Sequence, residues 1–409
     1  MKNEFQKLAV PQPRGRSVRP ESPVGPVVSV APMTPVAPMD PVANMDPVAP
    51  MDPVAPMDLV DRFGRVHTAL RLSVTDRCNI RCFYCMPSEH IVFQPRKQLL
   101  TFEELARMVQ VAASLGITKV RITGGEPLVR TGLATLIRKV VAVPGIEEVA
   151  LTTNGLLLSE QAMQLKAAGL ARLNISLDTL DSETFERITR RPGLERVLHG
   201  IFTARQAGFA RIRINTVAVR GVTENQIIPL GHFAREQNLE LRFIEFMPLN
   251  STGQWEDGDV LTGAEIRAVL EANFGTLVAV PRDDPSQPAV DYRFADDPAF
   301  QEPGFKAATR REKGADSPTA GMGRIGFINP VSQPFCESCN RLRITAEGQL
   351  RNCLFSTAEW DARALLRSGA TQTELQQLFQ DCVAAKEPGH GIGSEQFIKP
   401  ERAMYEIGG

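Results

Sequence analysis

The sequence predicts an α/β protein: an incomplete six-unit (βα)6 TIM-like barrel, with a smaller C-terminal cluster-binding region and a disordered Pro-rich N-terminal tail. Three observations predict it. From residue 70 to residue 246, short apolar runs alternate six times with amphipathic stretches of helical period, and strands in such a series lie parallel, joined by right-handed crossovers. That run is too short for a complete eight-unit barrel, which typically takes about 250 residues. Six of the seven cysteines fall into two tight triplets, one directly after the first apolar run and one far beyond the last.

The tail comes first. Residues 31–60 read as five degenerate hexads, APMTPV, APMDPV, ANMDPV, APMDPV and APMDLV, after another Pro-rich stretch. Proline at that density removes backbone donors and fixes φ, so neither helix nor sheet propagates, and residues 1–62 are expected to be disordered or polyproline-like. A hexapeptide period can also mark a β-helix, but those repeats do not place proline in most turns.

The barrel is expected over residues 63–250, with strands Leu70–Thr75, Lys119–Thr123, Val149–Asn154, Arg172–Asp178, Arg211–Val219 and Leu239–Phe246. Helices are expected near 102–115, 132–142, 159–168, 195–207 and 224–237. In the first of these, Leu105, Met108, Ala112 and Leu115 share a face behind Thr101, a good N-cap. Six units leave the barrel open at one side, and in parallel sheets function gathers at the carboxyl ends of the strands. Residues 251–409 form the expected C-terminal region: a helix near 262–273, a polar Pro-rich stretch at 281–320, strand-like pieces around 324–329, 341–345 and 348–351, and helices near 357–367 and 371–385.

Composition narrows the function classes. Hydrophobic residues make up 43% and charged residues 23% of the 409, which is ordinary for a globular protein with a sizeable core. A formal net charge of −1 argues against a general polyanion binder, because counterion release on nucleic acid needs an excess of Lys and Arg. There is no uninterrupted apolar stretch of about 18 residues and no secretory order of charged then apolar residues, so a cytoplasmic, reducing compartment is expected and no membrane. Clustered cysteines in an odd number suit metal or cluster ligation better than a disulfide framework.

Cys78, Cys82 and Cys85 follow the first strand with three and then two residues between them. On a loop, that spacing lets three thiolates converge on one face of a [4Fe–4S] cube and leaves the fourth iron open. Zinc is the competing reading, although a structural zinc normally closes with four ligands and only three are local. The second strand ends in Thr123-Gly-Gly-Glu-Pro127, where two glycines permit close backbone approach to a ligand; taken alone, such a pair is more often just a turn.

The C-x3-C-x2-C run, with Tyr84 before its third cysteine, resembles the radical S-adenosylmethionine (SAM) superfamily, and the resemblance spans about residues 64–409. It implies that the open iron binds the amino and carboxylate groups of S-adenosyl-L-methionine, which is split to give a 5′-deoxyadenosyl radical. It also implies cofactor-binding roles for Tyr84, near the adenine, for Gly125 and Glu126 of the GGE motif, and for Ser176 and Met247. For Met247, a core or rim methionine is nearly as good a reading.

Cys336, Cys339 and, after thirteen intervening residues, Cys353 make the second triplet. By spacing alone it could be a zinc ribbon, with Cys382 as a distant fourth ligand, although a buried helical cysteine is the commoner case there. Arg341 and Arg343 alternate just after Cys339, so on an extended strand both point to one side, where planar guanidiniums can grip phosphate oxygens bidentately. A solvated charged face is the bland alternative for that pair.

Together the two triplets resemble the GTP 3′,8-cyclase family of molybdenum cofactor biosynthesis, whose members are lyases. The resemblance rests on Arg71, Arg121-Ile-Thr-Gly-Gly-Glu-Pro-Leu128, Leu151-Thr-Thr-Asn-Gly155, Phe243-Ile-Glu-Phe-Met-Pro248, Gly323-Arg-Ile-Gly-Phe-Ile328, the second triplet with its R-x-R, and the terminal Gly408-Gly409. It implies two [4Fe–4S] clusters, GTP as substrate, guanine bound at the second cluster, and substrate contacts from Arg71, Arg121, Thr152, Arg213, Arg341 and Arg343, with Arg341 and Arg343 also catalytic. Arg213 stands where the family commonly has lysine, which puts the triphosphate geometry at that corner in question.

The resemblance further implies a homodimer, an electron donor such as flavodoxin or ferredoxin, a downstream cyclic pyranopterin monophosphate synthase, and a Gly-Gly end inserted in the active site. Two other readings stand beside it: a radical SAM enzyme that matures peptides, and a zinc-stapled nucleic-acid-binding module. Near-zero net charge, two tryptophans and three tyrosines disfavour the second.

Overall fold

The computed structural model describes residues 58–86, 88, 91–249, 255–282, 284–297, 323–395 and 397–408. Up to residue 57 the expected disordered tail lies outside the described residues. Its expected boundary at residue 62 falls too late. Four hexads carry proline at their fifth position and the last carries Leu59, which is 3% exposed in the core and whose carbonyl accepts the His67 amide at 2.8 Å. Val60 then bridges Val66 in antiparallel pairing, so this segment is part of the fold.

All six expected strands form: β1 Ala69–Ser73, β2 Lys119–Thr123, β3 Glu148–Thr153, β4 Arg172–Ser176, β5 Ile212–Ala218 and β6 Glu240–Glu245. Each pairs in parallel with the next. Helices α1 Phe102–Ser114, α2 Leu133–Val141, α3 Leu158–Ala167, α5 Leu194–Gln206 and α6 Ile227–Glu236 lie within a few residues of expectation. A further helix, α4 Ser182–Thr189, was not foreseen; Asp181 caps it by accepting the Thr184 amide at 2.7 Å. At α1 the side chain of Thr101 accepts the Glu104 amide, and Glu104 reciprocates on the Thr101 amide, a complete capping box. The face behind that cap is buried: Leu105, Met108, Ala112 and Leu115 are each no more than 1% exposed.

The C-terminal residues supply α7 Gly263–Phe274, β7 Leu277–Ala279, β8 Val290–Phe294, β9 Arg324–Ile328, β10 Arg341–Ile344, β11 Gln349–Arg351, β12 Trp360–Asp361, α8 Ala362–Arg367, α9 Gln372–Ala384 and α10 Met404–Ile407. They extend the barrel sheet at both edges. The strand order is β12-β11-β10-β1-β2-β3-β4-β5-β6-β9-β8-β7, with β10 parallel to β1 and β9 parallel to β6. Eight parallel strands therefore run side by side, flanked by antiparallel β11–β12 and β7–β8. β8 lies inside the stretch expected to be irregular; residues 283 and 298–320 of that stretch lie outside the described residues.

Strand alternation sorts the side chains. Leu70, Leu72, Ile122, Leu151, Leu173, Ile175, Ile214, Leu241 and Ile344 are buried in the core with the helices. Each such side chain contributes on the order of 1.5–3 kcal/mol of burial free energy. The intervening residues, Arg71, Arg121, Thr152, Arg213 and Arg343 among them, line a central cavity. Among the described residues, no helix is long and apolar enough to cross a membrane.

Candidate active site

The cavity measures about 470 Å³ and is lined by all six triplet cysteines. The residues expected to contact cofactor or substrate also line it: Arg71, Tyr84, Arg121, Gly125, Glu126, Thr152, Ser176, Arg213, Met247, Arg341 and Arg343.

The first triplet sits on the loop after β1, where the Cys85 amide donates to the Cys82 carbonyl at 3.0 Å. Asn154, at the end of β3, points its amide at Cys78 Sγ from 3.7 Å. Burial pushes the Cys78 thiol up to about 11 and the Cys85 thiol to about 12, and raises Cys82 as well. A bound metal would offset that cost, because it ligates the thiolate form. The neighbouring Gly125 has no room for a side chain, since a Cβ there would stand 2.5 Å from the Arg77 carbonyl oxygen. Glu126 accepts from the Leu128 amide at 2.9 Å, the Thr153 hydroxyl at 2.7 Å and the Asn154 amide at 2.6 Å; burial raises its carboxyl to about 7 against those bonds. The Tyr84 hydroxyl donates to Asp178 at 2.6 Å, which fixes the ring beside the cysteines.

In the second triplet the Cys339 amide closes a turn on the Cys336 carbonyl at 3.1 Å. Arg341 Nη2 approaches Cys339 Sγ to 3.4 Å while its guanidinium lies over the Phe335 ring. Burial alone would raise the Cys339 thiol, but Arg341 and Lys386 overcome it and bring the thiol down to about 6. Cys382 is fully buried in the core of α9 and does not line the cavity, so it supplies no fourth ligand. None of the cysteines is in a disulfide. Two sets of three partly exposed thiols on one cavity, with amide and cationic donors aimed at sulfur, suit two cubes that each keep an open iron.

Between the triplets runs a row of cations. The register places Arg343 beside Arg71 and Arg71 beside Arg121 across β10, β1 and β2. Burial, followed by the neighbouring arginines, pushes Arg71 and Arg121 well below the usual guanidinium range, and Arg343 to about 9. Four other arginines of the cavity have carboxylates: Arg172 pairs with Glu148 at 2.5 Å, Arg242 with Asp291 at 3.1 Å, and Arg211 and Arg213 with Glu240. Among the described residues Arg71, Arg121, Arg341 and Arg343 form no ion pair with a carboxylate, so their charge awaits an anion. Arg213, the position where lysine is usual, is held by Glu240 instead.

The end of the chain reaches this row. Gly408, at φ +83°, offers its carbonyl to Arg343 Nη1 at 2.9 Å, and a Cβ there would meet Ser73 Cβ at 2.8 Å and Thr123 Oγ1 at 2.7 Å. Gly409 lies outside the described residues. Sequence reasoning missed Arg172, Arg242 and Lys386. Arg242 had a usable signal, a charged residue at an inward position of an apolar strand; Lys386, just past the end of a helix where lysine is common, had none.

A parallel partial barrel carrying three unbridged thiols on the loop after its first strand defines the radical SAM class, and the Radical SAM superfamily model matches residues 72–234. The Molybdenum Cofactor Synthesis C model matches residues 239–392. A GTP 3′,8-cyclase of Rhodopirellula baltica is 47% identical over 352 residues, covering 86% of this chain and 92% of that one. Another, of Corynebacterium glutamicum, is 43% identical over 356 residues, covering 86% and 89%. The chain belongs to the GTP 3′,8-cyclase family. The crystal structure of SuiB from Streptococcus suis, bound to S-adenosylmethionine, shares the fold with a TM-score of 0.50 at 16% identity, covering 76% of this chain and 67% of that one.

Proposed function

We propose that this chain is a radical SAM lyase that converts GTP to (8S)-3′,8-cyclo-7,8-dihydroguanosine 5′-triphosphate in molybdenum cofactor biosynthesis. One observation carries the reading: both cysteine triplets and a row of arginines without carboxylate partners share the wall of a single cavity. Cys78, Cys82 and Cys85 would hold one [4Fe–4S] cluster, and Cys336, Cys339 and Cys353 the other. With S-adenosyl-L-methionine, the first cluster supplies a radical able to take hydrogen from a ribose carbon, and the second offers an open iron to the purine.

The protein's own residues bind, orient and shield. Tyr84, Gly125, Glu126, Ser176 and Met247 form the cofactor's side of the cavity. Asp178 keeps the Tyr84 ring in place, and Glu126 locks the turn that brings the Gly125 backbone close to the ligand. Arg71, Arg121, Arg341 and Arg343 receive the triphosphate, whose charge relieves the repulsion among them. Thr152 adds a hydroxyl, and Arg213 acts at the edge of that site, its charge shared with Glu240. Arg341 and Arg343, nearest the second triplet, orient the nucleotide so that its ribose faces the first. Residues 63–250 thus handle the cofactor and residues 251–409 the second cluster, with the triphosphate spanning both.

A homodimer, a flavodoxin or ferredoxin as reductant, and a cyclic pyranopterin monophosphate synthase receiving the product complete the proposal, all in the cytoplasm. The test begins with anaerobic purification: the protein should be brown with about eight irons per chain. Incubation with reductant, S-adenosyl-L-methionine and GTP should then yield 5′-deoxyadenosine in step with the cyclised nucleotide. Colourless, zinc-containing protein would sink the radical reading, and a 5′-deoxyadenosine yield that ignores GTP would point to another substrate.

A further inference from the structure

Behind the second triplet lies a buried ammonium that the reaction as described leaves unused. Lys386, just past the end of α9, is 3% exposed. Its Nζ donates to the Asn352 carbonyl at 2.6 Å and the Arg341 carbonyl at 3.1 Å, and stands 3.8 Å from Cys339 Sγ. Asn352 directly precedes Cys353, and Arg341 lies two residues after Cys339, so one ammonium ties together the two backbone segments that carry two of the three thiols. The groups acting on it most strongly are Cys339 and Cys353, which attract it, and Arg341 and Arg65, which repel it; His67 and Cys382 also face it, and among the described residues it forms no ion pair with a carboxylate.

Burying a cation without a counter-ion is costly, and hydrogen bonds to two carbonyls do not neutralise it. The fold recovers that cost only if an anion occupies the space beside Cys339. A cube ligated by thiolates is such an anion, and groups placed behind cluster ligands tune the metal as well as orienting the ligands. A fixed positive charge favours the more negative, reduced state of the cluster and so raises its reduction potential.

We infer that Lys386 is a positioning residue for the second cluster: it fixes the Cys339 and Cys353 segments and, by its charge, raises the reduction potential of the cluster they hold. This rests on the two-cluster reading given above. The same region is braced from the other side by Arg65, 8% exposed, which donates to the carbonyls of Cys336 at 2.9 Å, Glu387 at 2.8 Å and Pro388 at 3.0 Å.

The experiment uses the full-length chain with Cys78, Cys82 and Cys85 replaced by alanine, so that the second cluster is titrated alone by electron paramagnetic resonance. Lys386→Gln keeps a hydrogen-bond donor but loses the charge; Lys386→Arg keeps the charge. The expected result is about four irons per chain in this background, a midpoint shifted to more negative potential in Lys386→Gln, and a midpoint close to that of Lys386 in Lys386→Arg. Loss of iron in Lys386→Gln with iron and midpoint kept in Lys386→Arg would also support the role of charge. An unchanged midpoint in an iron-replete Lys386→Gln, an equal shift in both variants, or loss of iron from both would overturn the inference. Absence of a second cluster when Lys386 is intact would instead overturn the two-cluster reading.

Discussion

Like charges directly opposite one another on adjacent strands destabilise a sheet, and the row Arg343, Arg71 and Arg121 accepts that cost in the middle of the cavity. Stability and binding should therefore move in opposite directions when the row is thinned. Arg71→Met is expected to leave the thermal midpoint unchanged or raise it. GTP affinity, measured anaerobically by calorimetry, should weaken ten- to a hundredfold, on the order of the 1.5–3 kcal/mol that a charge-assisted hydrogen bond contributes. A second residue gives a pH signature. His67 is fully buried, and burial followed by the charge of Lys386 lowers its pKa from 6.5 to about 4. The unfolded chain therefore takes up this proton first as pH falls. The stabilisation is intact above pH 6.5 and is lost between there and pH 4, by about 3 kcal/mol in all. Denaturant unfolding of the native protein and of His67→Gln between pH 7 and 5.5 should show a steeper decline for the native chain. Parallel curves would contradict this.

At the scale of elements, what the sequence made legible depended on whether the signal was local. The Thr101 cap, the apolar face of α1 and the six parallel strands each leave a periodic or capping pattern within about fifteen residues. α4 escaped because Ser182–Thr189 is short and half polar, and its start rests on the single cap Asp181. β8 escaped because the alternation of Val290, Tyr292 and Phe294 is buried among prolines and aspartates. Both triplets and most of the arginine wall were legible, since cysteine spacing and strand alternation are local too. Whether each arginine has a carboxylate partner was not, because Glu240 reaches Arg211 and Arg213 only through the register of β5 on β6. The last element, α10 with Gly408, makes a prediction of its own. Gly408→Ala would drive a methyl into Ser73 and Thr123, so the Gly408 carbonyl should lose its hydrogen bond to Arg343. Iron content should hold while the yield of 5′-deoxyadenosine falls at least tenfold; an unchanged yield would remove the chain end from the mechanism.

For the whole molecule, the described chain starts at Asp58, and Leu59 is already buried in the core. Removing residues 1–57 should leave iron content and product formation within about twofold of the full chain, whereas removing residues 1–65 takes away Arg65 and with it the brace on Cys336. The longer deletion should lose the second cluster's irons and keep the first's, a contrast that iron analysis reads directly. Sequence alone did not reveal that the C-terminal strands would flank the barrel on both sides, because pairing between residues hundreds of positions apart has no periodic trace.

That arrangement also sets an order of events during synthesis. The first strand is complete at residue 73, but its outer neighbour ends at residue 344. At about 5–20 residues per second, roughly 15–50 s separate the two. Throughout that interval the nascent barrel presents a bare row of amides and carbonyls beside the loop that carries Cys78, Cys82 and Cys85, a template for pairing with another chain.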